Sequence, residues 1–462
     1  MLDLSLFKNK SVVILGAGIT GLSCARFLLN NDIQFSLNDS RASAINTETF
    51  DEEFLGNYLS VGHWDKSLIN SADVLLVSPG IDLSIPDIAN SLNDEGEVFG
   101  DVELFCRITN IPTLAVTGSN GKSTVVSLLA FLGEALGFRT QLGGNIGVPV
   151  LDTVENEPDF LVLELSSFQL ETMTTMRALG ATVLNVCDDH LDRHKTIENY
   201  QAIKQDIYRQ TDIAVFNRDD IRTFLPELLN YKAAYSFGSD KPDNSDDTQF
   251  GLAKFNDKTY LMSGNKALIS INELPLSGTH NALNCLAALA LGKSAGWSVD
   301  KMVAALPNFI GLDHRCQLIP TADGINWVND SKATNIGATL AAINGFVETK
   351  NNSRKSNEEP SNIYLIAGGD GKGADFNELS AAVNQHIKQL VTLGKDGDVI
   401  ASLKEGSVKV SSLDEAVTVI KQQAKSGDIV LLSPACASID MFKNYMERGF
   451  AFEQAVQGVQ AC

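Results

Sequence analysis

The sequence predicts an α/β protein of three domains, each built on strands that run largely parallel. Two observations predict it. Apolar, strand-like runs alternate with helical patterns along the whole chain, the mark of sheets layered between helices. The length, 462 residues, exceeds what one hydrophobic core serves and fits two to four domains. A third observation divides the chain: two glycine-rich loops, each set between a strand and a helix, stand about a hundred residues apart.

The first block holds SVVIL, FSLND and DVLLVSPG and gives a domain over 1–99. Its loop GAGITG, residues 16–21, follows a strand, opens a helix and matches GxGxxG. Asp39 closes the next strand at about the spacing of a ribose-binding acid. These features predict a Rossmann-like nucleotide site, although the glycines could serve close packing alone. Which nucleotide is left open, because no hydride-transfer site follows.

The second block, 100–311, contains TLAVTG, DFLVLELS and GATVLNVCDDH and predicts a P-loop ATPase-type parallel sheet. GSNGKST (118–124) is shorter than the usual GxxxxGK[ST], with Val116 where the first glycine would stand. Backbone N–H groups of such a loop cradle phosphates at a helix N-terminus; Lys122 adds charge, and Ser123 or Thr124 can reach Mg²⁺. Glu164 ends one strand, and Asp188, Asp189 and His190 end another. Ligands gather at the carboxyl ends of parallel strands, so these groups are expected on one rim as an oxygen-rich Mg²⁺ site. In ENYQAIKQDIYRQ, Tyr200, Ile203, Ile207 and Tyr208 form one stripe with Lys204 inside it. Pattern alone favours a lysine whose stem packs while its head reaches water.

The third block, 312–462, has INWVND, NIYLIAGG, QLVTLG and DIVLLSPA and predicts a further α/β, Rossmann-like domain. Polar stretches at 239–249 and 348–362 are expected to be exposed loops.

Composition narrows the function. A net charge of −21 argues against nucleic acid or an anionic membrane as partner, so anionic ligands need a local cluster of Lys and Arg. MLDLSLFKNK has no apolar core suited to a signal peptide, and no run approaches the ~20 apolar residues of a membrane span. Seven cysteines show no CxxC pairing and read as reduced thiols, which predicts a cytoplasmic protein.

Further stretches carry a resemblance: TGSNGKST, GGNIGVP (143–149), ELSSFQLE (164–171), DDHLDRH (188–194), THNALN (279–284), LDHRCQ (312–317), NDSKATN (329–335), GGDGKGADF (368–376) and LLSPACASIDMFKNYMERG (431–449). Over essentially its whole length the chain resembles the Mur ligase family, ATP-dependent amide ligases of peptidoglycan precursor synthesis. The last three stretches most resemble members that add D-glutamate to UDP-N-acetylmuramoyl-L-alanine. Neither the DNPR stretch of the diaminopimelate- or lysine-adding members nor the GIGGxGM opening of the L-alanine-adding one is present.

The resemblance implies that the first domain holds the UDP moiety of the substrate while the P-loop domain holds ATP. It places Thr20, Asp39, Arg41, Gly80 and Asn145 around the UDP-sugar. ATP falls to Gly118, Asn120, Gly121, Lys122, Ser123 and Thr124, with Asn281 and Asn284 at the adenine and Arg315 and Asp330 closing from the third domain. Ser123, Glu164, His190 and Lys204 match metal positions, Lys204 as a carbamylated lysine. Lys122, His190, Lys204 and Lys332 are the implied catalytic groups; Thr334, Lys372 and Ser438 match the D-glutamate site, with Tyr445 where the family usually has Phe. A monomer acting on small molecules, with Mg²⁺ and ATP, is expected. Three alternatives rank lower: a folylpolyglutamate synthetase-like ligase, an NAD-dependent dehydrogenase that leaves GSNGKST unexplained, and a P-loop switch ATPase without an amino-acid acceptor.

Overall fold

Runs such as Val12–Leu15 and Val74–Val77 are apolar at every position, a pattern that suits strands covered on both faces. The computed structural model, which describes residues 2–224, 233–243, 246–256, 258–274, 276, 278–352 and 362–460, buries both completely. They belong to a five-stranded parallel sheet of β1 (Val12–Leu15), β2 (Ser36–Asp39), β3 (Tyr58–Val61), β4 (Val74–Val77) and β5 (Glu97–Phe99), ordered β3-β2-β1-β4-β5. Strand order reverses at β1, and that switch point opens the crevice above Gly16–Gly21.

The second sheet has nine strands: β6 (Thr113–Thr117), β7 (Thr140–Gly144), β8 (Phe160–Glu164), β9 (Ala178–Val183), β10 (Thr211–Asn217), β11 (Ala233–Phe237), β12 (Gln249–Phe255), β13 (Lys258–Ser263) and β14 (Lys266–Ser270). Their order, β14-β13-β12-β11-β10-β9-β6-β8-β7, sets β6 between β8 and β9, parallel to both. The loop after β6 therefore emerges between the ends of the strands that lead to Glu164 and to His190. Helix Asp101–Ile108 joins the first two sheets, and one hydrophobic cluster runs from Ile14 and Leu28 through Phe99, Val102 and Phe105 to Leu163 and Val183.

The third sheet comprises β15 (Gln317–Ile319), β16 (Asn326–Asn329), β17 (Ile363–Gly368), β18 (Ile387–Leu393), β19 (Val408–Lys409) and β20 (Ile429–Leu432) in the order β15-β16-β20-β17-β18-β19. β15 is antiparallel to β16, whereas β16, β20 and β17 run parallel and send their following loops from one edge.

The chain divides into two compact units, one of residues 1–252, 262–268 and 285–305, the other of 253–261, 269–284 and 306–462. The polar stretch at 348–362 is not all loop, because helix Ile336–Asn352 continues into it; Glu, Lys and Asn prolong a helix once its apolar turns are anchored. Residues 353–361 of that stretch, and 244–245 of the other, lie outside the described residues. No helix among the described residues is long and apolar enough to cross a membrane.

Candidate active site

The P-loop's shape comes from one glycine and one asparagine. Gly121, at φ +85°, caps the helix Lys122–Ala135 in a conformation that a side chain would strain. Asn185 clasps the loop: its Oδ1 accepts the Asn120 N–H at 2.8 Å, its Nδ2 donates to Asn120 O at 3.1 Å, and its carbonyl takes the Ser119 N–H at 2.9 Å. Ser119 Oγ accepts the Cys187 N–H at 3.0 Å. The segment 184–190 is thus not a strand end, since β9 stops at Val183; it leaves the sheet to pair with the loop. Ser123 and Thr124 are buried in the helix's first turn.

Two lysines meet one carbonyl here. Lys122 Nζ donates to Gly118 O at 2.7 Å and Ser119 O at 2.9 Å. Lys204 Nζ reaches the same Gly118 O at 3.1 Å and Thr117 Oγ1 at 3.3 Å, and lies 4.5 Å from the centre of the Tyr200 ring. Lys204 is 1% exposed, so its head does not reach water, as pattern alone had favoured; the stripe buries stem and head together. Burial, reinforced by Lys122, holds its pKa well below that of an ordinary lysine, against the pull of Asp189, Cys187 and Glu164.

Glu164, at the end of β8, is buried and accepts Asn145 Nδ2 at 2.9 Å. His190 is left-handed at φ +53° and sets its ring edge-on to Phe168, centroids 5.0 Å apart.

Asn145 also lines a second feature, a cavity of about 710 Å³ above the first loop. Thr20, Asp39, Arg41, Gly80 and Asn145, the five residues expected around the UDP-sugar, all line it. Gly21 permits the loop's tight seat, because a Cβ there would fall 1.8 Å from Gly16 O. Asp39 Oδ2 accepts the Ala17 N–H at 2.9 Å, and Arg41 forks across both its oxygens at 3.0 and 2.7 Å. Burial would raise the Asp39 carboxyl, but the hydrogen bonds from Arg41 and Ala17 outweigh it and hold it below the usual range. Asp101 forms part of the wall, buried with Oδ1 unbonded, and burial pushes it up to about 6.

The remaining expected residues lie in the other unit, or in its segment 269–284. Asn284 Nδ2 donates to Asn281 Oδ1 at 3.2 Å, and Asn281 and Arg315 line one cavity of about 740 Å³. Asp330 accepts Ser433 Oγ at 2.8 Å and the Cys316 N–H at 3.2 Å; burial pushes it up to about 6. Lys332 Nζ sits 3.9 Å over the Tyr445 ring. Lys372, exposed and left-handed, follows β17; Ser438, buried, follows β20, and an Asp370–Ala437 bridge joins their loops. Thr334, half-buried, follows β16.

Sequence reasoning missed the residues that tie these loops together. Arg448 is buried and donates to Ser331 Oγ, Ser331 O and Cys436 O at 3.0, 2.8 and 3.0 Å, uniting the loops after β16 and β20. Burial lowers its pKa to about 10. Asn185, Arg193 and His194 were missed too, because their partners are distant in sequence, and Asp101 because its burial comes from the surrounding fold.

A glycine-rich loop between strand and helix beside a second, glycine-lined cavity, on adjoining parallel sheets, defines an α/β protein of the P-loop type, with both features in one compact unit. Comparison with known proteins gives the family. The chain matches the Mur ligase MurD-like N-terminal domain over 10–100, the Mur ligase middle domain over 116–292 and the Mur ligase glutamate ligase domain over 314–436. It is 52% identical to the UDP-N-acetylmuramoylalanine–D-glutamate ligase of Colwellia psychrerythraea, covering 98% of each chain. It is 40% identical to the enzyme of that name from Pasteurella multocida, over 96% of this chain and 98% of the other. The chain belongs to the Mur ligase family. MurF of Thermotoga maritima in complex with ADP shares the fold, at TM-score 0.61 and 17% identity over 92% of this chain and 96% of that one. UDP-N-acetylmuramate–alanine ligase MurC of the same organism does so at 0.59 and 18%, over 97% and 100%. None of these relatives lends support to a dehydrogenase.

Proposed function

We propose that the chain joins D-glutamate to UDP-N-acetylmuramoyl-L-alanine at the expense of ATP, as a cytoplasmic monomer in peptidoglycan precursor synthesis. The observation that carries this reading is the likeness over nearly the full length to UDP-N-acetylmuramoylalanine–D-glutamate ligases. The 2.9 Å bond from Asn145 to Glu164 agrees with it by linking a wall of the UDP cavity to the strand end beside the phosphate loop. The two nucleotides then have separate roles: one is a handle on the substrate and the other drives the reaction. Residues 1–99, 100–311 and 312–462 are the proposed domains for UDP-substrate, ATP and amino acid.

A carboxylate resists attack by an amine, because its carbon is electron-rich and oxide does not leave. Transfer of the ATP γ-phosphoryl to the alanyl carboxylate gives an acyl phosphate. The D-glutamate amine adds to it, and phosphate departs from the tetrahedral intermediate. Both steps crowd anions together, and positioned cations and N–H groups offset that repulsion. Lys122 and the backbone of Gly118 and Gly121 are assigned to the phosphates, together with the side chains of Asn120, Ser123 and Thr124, since the Asn120 backbone is already held by Asn185. Arg315, Asp330 and Lys332, with Asn281 and Asn284, are assigned to ATP; Thr334, Lys372 and Ser438 are assigned to the carboxylates of D-glutamate.

Lys204 is proposed to carry a carbamate. Carbamylation needs the neutral amine, which attacks CO₂ through nitrogen and releases a proton; burial and Lys122 favour that neutral form. The product is an anion in place of the amino group beside Gly118 O. The donor chemistry suits Mg²⁺: Ser123, Glu164 and the Lys204 carbamate offer oxygen, and His190 offers nitrogen. Among the described residues no three His, Cys, Asp or Glu gather as a metal cluster, so phosphate oxygens would complete the shell. Bound there, Mg²⁺ would neutralise the charge of the transferring phosphoryl group.

The test is phosphate release from Mg·ATP. Release that requires UDP-N-acetylmuramoyl-L-alanine and D-glutamate together is expected. Release with a different amino acid would overturn the assignment of Thr334, Lys372 and Ser438, and release with neither substrate would overturn the ligase reading.

A further inference from the structure

Arg193 has no part in the reaction described above, yet it pairs with carboxylates on the side of each nucleotide site. Its Nη1 meets Asp82 Oδ1 at 2.7 Å and its Nη2 meets Glu171 Oε2 at 2.5 Å. Asp82 follows β4 and lines the UDP cavity, whereas Glu171 belongs to the turn after β8. The Arg193 side chain is only 17% exposed, so solvent and salt screen these pairs less than surface pairs. A guanidinium stays charged and grips two carboxylates at once in a fixed geometry.

From Arg193 the contacts continue inward. The buried His194 ring has Nδ1 3.4 Å from Glu171 Oε1 and Nε2 2.9 Å from Ser167 Oγ. It stacks on Phe168 at 5.3 Å and lies 5.2 Å from the Tyr200 ring. Phe168 faces His190, while Tyr200 carries Lys204 on its ring and sets its hydroxyl 3.4 Å from Ser119 Oγ of the P-loop. Arg193 itself lies over the Phe168 ring, 5.8 Å from its centre, so a run of packed side chains leads from the cavity wall to the phosphate loop. All of it lies in one compact unit.

We propose that Arg193 is a positioning residue that couples occupancy of the UDP cavity to the geometry of the phosphate site. A ligand seated against the loop 78–82 fixes Asp82; Asp82 fixes Arg193; and Arg193 sets Phe168 and His190. The inference rests on the assignment of the two cavities under Proposed function. Contiguity alone does not establish coupling, so the test measures coupling itself.

Calorimetry on the full chain with magnesium gives the Kd of a non-hydrolysable ATP analogue, alone and with saturating UDP-N-acetylmuramoyl-L-alanine. In the unaltered protein the UDP-sugar should tighten the analogue at least about fivefold, the low end of ordinary allosteric coupling. Arg193→Gln should bring that ratio to about one. Asp82→Asn breaks the same link from its more exposed end and should lower the ratio as well, whatever it does to the UDP-sugar's own Kd. A link that only stabilises the fold would lower melting temperature and leave the ratio intact. A ratio of one in the unaltered protein, or a ratio kept by both variants, overturns the proposal. Failure of the unaltered protein to bind the UDP-sugar at all would instead overturn the cavity assignment beneath it.

Discussion

The acid that follows the first glycine loop is already engaged by protein: both oxygens of Asp39 are held by Arg41, and one also by the Ala17 N–H. At the second loop a clasping amide, Asn185, holds the backbone, and the amino groups of Lys122 and Lys204 share its Gly118 carbonyl. The sites also carry opposite buried groups. Asp101 in the wall of the first is an acid pushed up, and Lys204 beneath the second is a base pushed down, each by burial. The same sequence grammar therefore builds two different receptors. The first is an open cavity whose fingerprint acid anchors a guanidinium at the rim, and the second is a tight, cation-rich cradle.

Substitutions that separate the two loops should do so cleanly. The largest effect is expected from Lys122→Ala, which should lower kcat about 10³-fold, as loss of a phosphate-facing cation does, while leaving the Kd of the UDP-sugar within about twofold; equal loss of both would erase the distinction. Lys204→Arg keeps a long basic side chain but cannot be carbamylated, and kcat should fall about 10²-fold, the order typical of removing one such electrostatic group. Carbon-13-labelled bicarbonate should give a carbamate signal in the unaltered protein that this variant lacks, and its absence from both would remove the carbamate.

Asp101→Asn tests the buried acid through stability. Its folded pKa, about 6, lies above the ordinary aspartate value of about 3.9, so the folded state prefers the proton and loses stability as pH rises through that window. The substitution should stabilise the protein by about 3 kcal/mol at pH 8, since one pKa unit is about 1.4 kcal/mol and the shift is about two units. The gain should shrink towards pH 4; equal gains in urea melts at both pH values would mean that ionisation is not the cause. The smallest effect belongs to Arg41→Ala, whose guanidinium is mostly exposed. It should raise KM for the UDP-sugar about tenfold, the loss of one charge-assisted contact, and leave KM for ATP unchanged.

How far these sites could be read in the sequence follows from range. β1, β4, β6, β8 and β17 were legible because strands buried on both faces are continuous apolar runs. β3, β5 and β19 were not: they are two to four residues long, partly exposed and without that signature. The phosphate loop was legible because its chemistry is local. Asn185 was not, since it acts on a loop 65 residues earlier, and nothing in LNVC marks an amide that will meet Asn120. Arg193 meets Asp82 across two sheets, and Arg448 meets Ser331 across 117 residues, so no short window contains either pair. Lys204 is intermediate. Its place in the stripe was visible, but burial of its head depended on Thr117 and Gly118 waiting beneath it.

The Asn185 clasp has a consequence in time. Its three hydrogen bonds join protein atoms only, so they form when the chain folds and do not wait for a nucleotide. Ordering a loop costs about 1–2 kcal/mol per residue in backbone entropy. Here that entropy is given up once, at folding, and the same loop then serves every turnover without being ordered again.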